Sequence, residues 1–387
     1  MSNQHADVHA DLAASVRTYA EREGGLARVR RLRDSGSGFD RAAWSKLGKL
    51  GWLGLLVPEA RGGSGLGLAE MTVVARELGR ALVPEPVTAA GVLAAHVLVL
   101  ADTDPSRKIL AGLMEGTLLP AVAWQDSVGD IDASRVSTEI VDAHDTRVLC
   151  GSKQLVAYGG DADGYLVSAR SAGGIGIYWV ERGSARVTYR SMRRADGSEH
   201  GVLEFDRAPM RAENCVIAPG AGEAVLTGAV DECLIAASSE PLGIAERALD
   251  ITLEYLRTRT QFGKAIGSFQ ALQHRCVDMF IHKELGISAL TAALSEWEHA
   301  NAARRSALAS RVKARCADAA LDICRKAVQM HGAMGFTDDC DIGLYLKRAL
   351  VLAAWLGNAQ AHRRRYAKLA LVGAAPAHAA QAPGRAA

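Results

Sequence analysis

Arg257-Thr258-Arg259-Thr260-Gln261-Phe262-Gly263, followed by Ile266, Phe269-Gln270 and Gln273-His274, reads as a corner between two long helices. Basic residues suit the C-terminal end of a helix, where unpaired carbonyls and the helix dipole favour cations. Gly263 lets the chain leave the first helix, and Ser268 opens the next. Apolar residues keep helical spacing beyond the corner. Phe269, Leu272, Cys276, Met279 and Phe280 form one stripe, and Val312, Cys316, Ala319, Ile323, Ala327 and Met330 form another. Helices of this length pack along their whole sides, so the spacing predicts a bundle over residues 221–374.

Working outward, the texture changes upstream. Val136 to Ile140, Val148 to Cys150, Tyr165 to Ser168, Ile175 to Val180 and Val202 to Phe205 are short runs rich in β-favouring residues, separated by Gly, Asp and Ser. They predict a small all-β domain over residues 119–220. Before it, Trp44, Leu47, Leu50 and Leu53 carry the helical period, and short Gly/Pro segments such as Pro58 to Gly67 punctuate it. Residues 1–118 are therefore expected to form a helical domain. The Ala-rich end, with Pro376 and Pro383, predicts a flexible tail over 375–387. The order α, β, α, without strand and helix alternating, argues against a parallel nucleotide-binding sheet.

Composition excludes several classes. With 387 residues, 49% of them hydrophobic and 23% charged, the chain can bury a large core divided among domains, and it is not a disordered polymer. A net charge of +2 with one basic block, His362 to Arg365, gives no footprint for nucleic acid. The seven cysteines, at 150, 215, 233, 276, 316, 324 and 340, show no metal-ligand spacing, so no metal site and reduced thiols are expected. His5, Asp7, His9 and Asp11 lack the pattern of a signal peptide, and no apolar run is long enough to span a bilayer. A cytoplasmic protein is the expectation. Gly62-Gly63-Ser64-Gly65 lacks a preceding strand and the Lys-Ser/Thr ending of a phosphate loop, and reads as a turn between helices.

The Arg257–Gly263 string, with Asp278-Met279 after it, resembles the signature of the acyl-CoA dehydrogenase family. A second string, Ala327-Val328-Gln329-Met330-His331-Gly332-Ala333-Met334-Gly335-Phe336, resembles that family's Gln-x-x-Gly-Gly-x-Gly turn, with Ala333 in place of the second glycine. Gly51-Trp52-Leu53-Gly54-Leu55, Val57-Pro58-Glu59 and Glu77-Leu78-Gly79-Arg80 look like its first domain, so the resemblance covers nearly the whole chain. It implies an α+β multidomain fold: an N-terminal helical domain, a central β-barrel or sandwich and a C-terminal four-helix bundle. It also implies FAD, a CoA thioester substrate, an electron-transfer flavoprotein or similar acceptor, and a tetramer. In the family the corner and the glycine turn bind the pyrophosphate and adenine end of a neighbouring subunit's FAD. This role falls here on Arg259, Gln261, Phe262, Gln270, Gln329, Gly332 and Ala333. An Arg fork and exposed backbone N–H groups are what a pyrophosphate needs.

The sequence departs from the family at the chemistry. The Glu-Gly-Thr-x-Gln motif falls on Leu356-Gly357-Asn358-Ala359-Gln360, so the catalytic base position is apolar. A leucine cannot remove the α-proton of a thioester. Its backbone N–H can still hold the thioester carbonyl, and Asn358 and Gln360 keep a flavin contact. Leu155 and Ala157 stand where the family places a Trp and a Thr against the flavin ring, and Trp124-Gln125 replaces a Thr-Glu-Pro segment.

Some family members carry the glutamate on the helix before the corner. That position falls nearest Cys233, with Glu232 about 100° round the helix. Glu240, seven residues on from Cys233, shares its face and is the candidate base; an ion pair, or a helix N-terminal charge ahead of Pro241, would explain it equally well.

The resulting expectation is an FAD-dependent α,β-dehydrogenase of a CoA thioester. It would form one subunit of a homo- or heteromeric enzyme, similar to the smaller subunits of bacterial heteromeric enzymes acting on dicarboxylyl-CoA or steroid side-chain CoA thioesters. A homologous chain would then supply the glutamate. The alternatives are a self-sufficient homo-oligomer using Glu240, a non-catalytic scaffold without its own flavin, and a flavin-dependent monooxygenase on the same fold.

Overall fold

The computed structural model describes residues 3–143 and 146–373; the tail expected at 375–387 lies outside the described residues. Helices α1 (Asn3–Arg22), α2 (Gly25–Ser35), α3 (Arg41–Lys49), α4 (Leu68–Ala81), α5 (Ala95–Leu100) and α6 (Asp104–Met114) build the first domain. Local chemistry sets several of their ends. The Asp40 carboxylate accepts from the Ala42 N–H to start α3, and Thr103 and Ser106 form a reciprocal cap with Pro105 inside the first turn of α6. Gly62 to Gly65 is a turn, as expected. The N–H groups of Gly63, Ser64 and Gly65 are spent on the carbonyls of Pro58, Gly54 and Val57 and are not free for a phosphate. A π-helical turn, Ala89–Ala94, leads directly into α5.

The central domain is one eight-stranded mixed sheet. Its strands are β1 (Pro120–Ala123), β2 (Glu139–Ala143), β3 (Thr146–Ala157), β4 (Gly164–Ser171), β5 (Gly174–Glu181), β6 (Val187–Arg193), β7 (Glu199–Met210) and β8 (Cys215–Ile217). The order is β6-β7-β3-β2-β4-β5-β8, and β1 lies parallel to β4. Strands β1, β6 and β8 were not foreseen. β6 is largely solvent-exposed and lacks the apolar alternation that betrays a half-buried strand. Leu149, Tyr165, Val167, Leu203 and Phe205 form the sheet's own apolar core.

The last domain begins with α7 (Gly222–Thr258), 37 residues long, which runs straight through Pro241. Local propensity places a helix boundary at a proline, since the ring removes a backbone hydrogen bond. Here tertiary packing overrides it, and Glu240 lies mid-helix, which removes the option of a charge at a helix start. The hairpin β9 (Thr260–Gln261) and β10 (Lys264–Ala265) makes the corner. Phe262 and Gly263 take φ of 54° and 77°, the left-handed pair that a tight two-residue hairpin turn requires. The next helix, α8 (Gln270–Trp297), therefore opens two residues later than Ser268. Helices α9 (Ala302–His331), α10 (Ile342–Ala354) and α11 (Ala359–Gly373) complete the bundle.

Helix α4 crosses α7 at bare glycines. A Cβ added at Gly243 would lie 1.8 Å from the Arg76 carbonyl oxygen, and one at Gly79 would lie 2.1 Å from the Glu240 carbonyl oxygen. Backbone thus touches backbone at this crossing, flanked by the Arg76–Glu246 and Arg80–Asp250 ion pairs. Gly243→Ala should therefore lower stability by about 3 kcal/mol despite the better helix propensity of alanine, because the Arg76 carbonyl is held in α4 and cannot retreat. Thermal unfolding measures this, and a melting temperature equal to wild type would contradict the crossing.

Candidate functional site

The corner opens a cavity of about 480 Å³ among the C-terminal end of α7, the start of α8 and the turn after α9. Arg259, Gln261, Gln329, Gly332 and Ala333, five of the residues singled out in the sequence, line it together. Arg275 joins them. Neither Arg259 nor Arg275 has a carboxylate partner among the described residues, and no acidic residue lines the cavity. Gly332 holds φ 61° and ψ −140°, a region essentially closed to other residues. His331 stacks on Tyr255 with ring centroids 4.4 Å apart, giving the cavity a flat wall. Two free guanidinium groups, an exposed glycine backbone and an aromatic wall suit a diphosphate joined to a flat ring. Gln270 begins α8 beside the lining residues Ala271 and Leu272, whereas Phe262 stands at the rim with 90% of its surface exposed. Sequence reasoning missed Tyr255, Arg275 and His331. Arg275 lies one helical turn on from Ala271, a spacing that could have revealed it.

The seam between the sheet and the bundle is different. Two cavities of only about 20 Å³ each remain there, room for little more than a water molecule. Trp124, Tyr158 and Leu356 belong to one buried apolar cluster, with Trp355, Leu155 and Ala157 beside them. The Gln125 side chain is turned to the Asp130 carbonyl. Asn358 and Gln360 are exposed, and Asn358 Oδ1 accepts from the Ala361 N–H at the start of α11.

Leu356 sits in the turn between α10 and α11 with φ 58°, an uncommon conformation for a branched residue. His362 holds this turn. Its Nε2 donates to the Leu356 carbonyl at 2.9 Å, and its Nδ1 faces the Ser310 hydroxyl. Burial, with Lys313 adding to it, pushes the imidazole down to about 3, so it is neutral. The Leu356 N–H has no acceptor among the described residues. The basic block His362 to Arg365 is therefore not one surface: His362 is buried, and Arg365 donates to Asp231 at 2.6 Å.

Glu240 is buried against Arg348 on α10. Arg348 Nε and Nη2 donate to Glu240 Oε1 at 2.9 and 2.7 Å, and Nη1 donates to Asp196 Oδ2 at 2.9 Å. Burial raises the Glu240 carboxyl above its ordinary range, and Arg348 pulls it back. The guanidinium stays charged, held well above its ordinary value by Glu240, Tyr158 and Asp196 against the cost of burial.

Residues 6–117 match the family described as acyl-CoA dehydrogenase, N-terminal domain, and residues 220–371 match its C-terminal domain. Acyl-CoA dehydrogenase FadE27 of Mycobacterium tuberculosis is 30% identical over 334 residues, covering 84% of this chain and 87% of the relative. The chain belongs to the acyl-CoA dehydrogenase family. Two solved structures superpose along almost its whole length. The Tcur3481-Tcur3483 steroid ACAD matches with a TM-score of 0.85 at 28% identity, covering 96% of this chain and 99% of that one. The ChsE4-ChsE5 complex from Mycobacterium tuberculosis matches with a TM-score of 0.84 at 26% identity, covering 96% and 98%.

Membership makes this an FAD-dependent oxidoreductase of the class that dehydrogenates CoA thioesters. In an acyl-CoA dehydrogenase the base must reach the α-carbon beside the flavin ring. Glu240 instead has one oxygen committed to two guanidinium hydrogen bonds in a seam with no room for a substrate. Glu240→Gln should therefore leave flavin reduction by substrate at the wild-type rate in the catalytically competent oligomer. It should lower stability by about 3 kcal/mol, because the buried Arg348 loses one of its two charged partners. Rapid-mixing kinetics and chemical unfolding separate these effects. A slowing of about a hundredfold or more would make Glu240 the base.

Proposed function

We propose that this chain is one half of a heteromeric acyl-CoA dehydrogenase: it holds the dinucleotide end of an FAD whose ring and catalytic glutamate belong to a homologous partner. The observation that carries this reading is the contrast within the chain, an open cationic corner of about 480 Å³ against a ring seam reduced to cavities of about 20 Å³. Bound FAD supplies the acceptor for the hydride that leaves the β-carbon. Arg259 would hold the pyrophosphate, with Gln261, Gln329 and the backbone at Gly332 and Ala333 beside it, Phe262 and Gln270 at the rim, and Arg275 as a second cation. Leu356, locked in its turn, leaves this chain without the base that α-proton removal demands. The structures that superpose on it carry paired names, Tcur3481-Tcur3483 and ChsE4-ChsE5, which supports an assembly of two unlike chains. The first is described as a steroid ACAD, which supports a steroid side-chain CoA thioester as the substrate class. A heterotetramer in the cytoplasm, passing electrons to an electron-transfer flavoprotein, completes the proposal. Its seven cysteines form no disulfide with one another, and no described helix is long and apolar enough to cross a membrane, which accords with that compartment.

Co-expression with a homologous chain that has the glutamate tests this. The complex should dehydrogenate acyl-CoA thioesters, and the chain alone should not. Arg259→Ala and Gln329→Ala in this chain should each weaken flavin retention by about ten- to a hundredfold, the loss expected for one hydrogen bond to a charged group. Full turnover by the isolated chain, or unchanged flavin content in both variants, would overturn the proposal.

A further inference from the structure

The corner is assembled from two stretches of chain, the end of α7 with its hairpin and the turn after α9, and Tyr255 touches both. Its carbonyl accepts the Arg259 N–H at 2.8 Å, where α7 ends. Its side chain reaches across to His331, 76 residues further on. The two rings stack with centroids 4.4 Å apart and planes 20° from parallel, and the Tyr255 hydroxyl donates to the His331 carbonyl at 3.5 Å.

His331 is fixed from its other side as well. Its Nδ1 lies 2.8 Å from the Ala327 carbonyl, and because a carbonyl only accepts, Nδ1 carries the proton of this bond whatever the state of Nε2. The ring is thus held by α9 at its edge and by Tyr255 on its face. The next residue depends on this grip. Gly332 takes φ 61° and ψ −140°, and a Cβ added there would meet nothing within 4 Å among the described residues. Packing does not confine Gly332, and a glycine left to itself samples more conformations than any other residue. Its neighbours must set its place. At the far end of the turn Gly335 lies directly on α9, where a Cβ would come within 2.5 Å of the Val328 carbonyl. At the near end the anchor is His331, pressed by Tyr255.

We propose that Tyr255 is the positioning residue of the corner: its ring, seated on His331, fixes the glycine turn beside Arg259 and Arg275 in the form that receives a dinucleotide. That use of the turn rests on the proposed flavin site. The hydroxyl contributes little, since 3.5 Å is beyond the usual length of a hydrogen bond, and the stacked ring carries the effect. The hairpin is independent of the side chain. Arg259 N–H to the Tyr255 carbonyl and Ile266 N–H to the Arg259 carbonyl are backbone bonds that any residue at position 255 keeps.

The test compares the full wild-type chain with Tyr255→Phe, Tyr255→Leu and Tyr255→Ala, using ADP titration by calorimetry and amide hydrogen exchange by mass spectrometry. Phenylalanine keeps the ring and should match wild type in both measurements. Leucine and alanine are good helix formers, and leucine also keeps apolar bulk against the bundle, so the helix should persist in both variants. Each should bind ADP about tenfold more weakly and exchange the amides of residues 332–336 about tenfold faster, the loss expected for one aromatic stack. Exchange at Arg259 and Ile266 should stay at the wild-type rate. Wild-type exchange across the turn in the leucine and alanine variants, or a phenylalanine variant as impaired as alanine, would overturn the inference. A wild-type chain that binds no ADP would overturn the flavin site instead, and the exchange comparison would still decide the role of Tyr255.

Discussion

Arg348 is the tie on which the arrangement of this molecule depends. A buried guanidinium is costly to desolvate, and it persists only where hydrogen bonds and opposite charges surround it. Here one cation reaches Glu240 in the long bundle helix and Asp196 in the turn after β6, so the sheet and the bundle meet across a single charge. Removing either carboxylate would leave a buried charge short of a partner. A second buried pair, Arg28 with Glu85, borders the same narrow cavity as Glu240, and His200 beside it is pushed down to about 4 by burial. The seam is thereby fastened by charge and filled by Trp124, Tyr158 and Leu356.

Closing the seam need not cost the chain its affinity for a dinucleotide. The two ends of such a ligand are recognised by different physics: the ring by shape in an enclosed apolar slot, the diphosphate by charge and backbone N–H groups on an open corner. The corner depends on the end of α7, the hairpin turn and Gly332, none of which touches the Arg348 site. A sequence can lose the first while keeping the second, and under the proposed arrangement Leu356 in the closed seam and Arg259 in the open corner would be that pattern.

Much of this was legible before any coordinates. Helical spacing gave the two α regions, and the strings around Arg259 and Gln329 brought together residues about 70 positions apart that do line one cavity. Leu356 showed by its identity alone that the family's usual base position is apolar here. What stayed hidden was decided by contacts distant in sequence. Arg348 lies 108 residues from Glu240, and no local pattern announces such a pair. Pro241 left a helix start open as one alternative because propensity is local, whereas the α4 crossing that packs against the helix there is not. His362 looked like part of a basic surface because its burial follows from the Leu356 turn. The two-residue strands β9 and β10 are too short to carry any periodicity at all.

The most direct test of the account is the flavin content of the purified two-chain complex, counted against each chain by absorbance and quantitative amino-acid analysis. One FAD for every pair of unlike chains is the predicted result, because the proposed arrangement has one ring site per pair. Two FAD per pair would contradict it, since the closed seam of this chain would then have to open and hold a ring of its own.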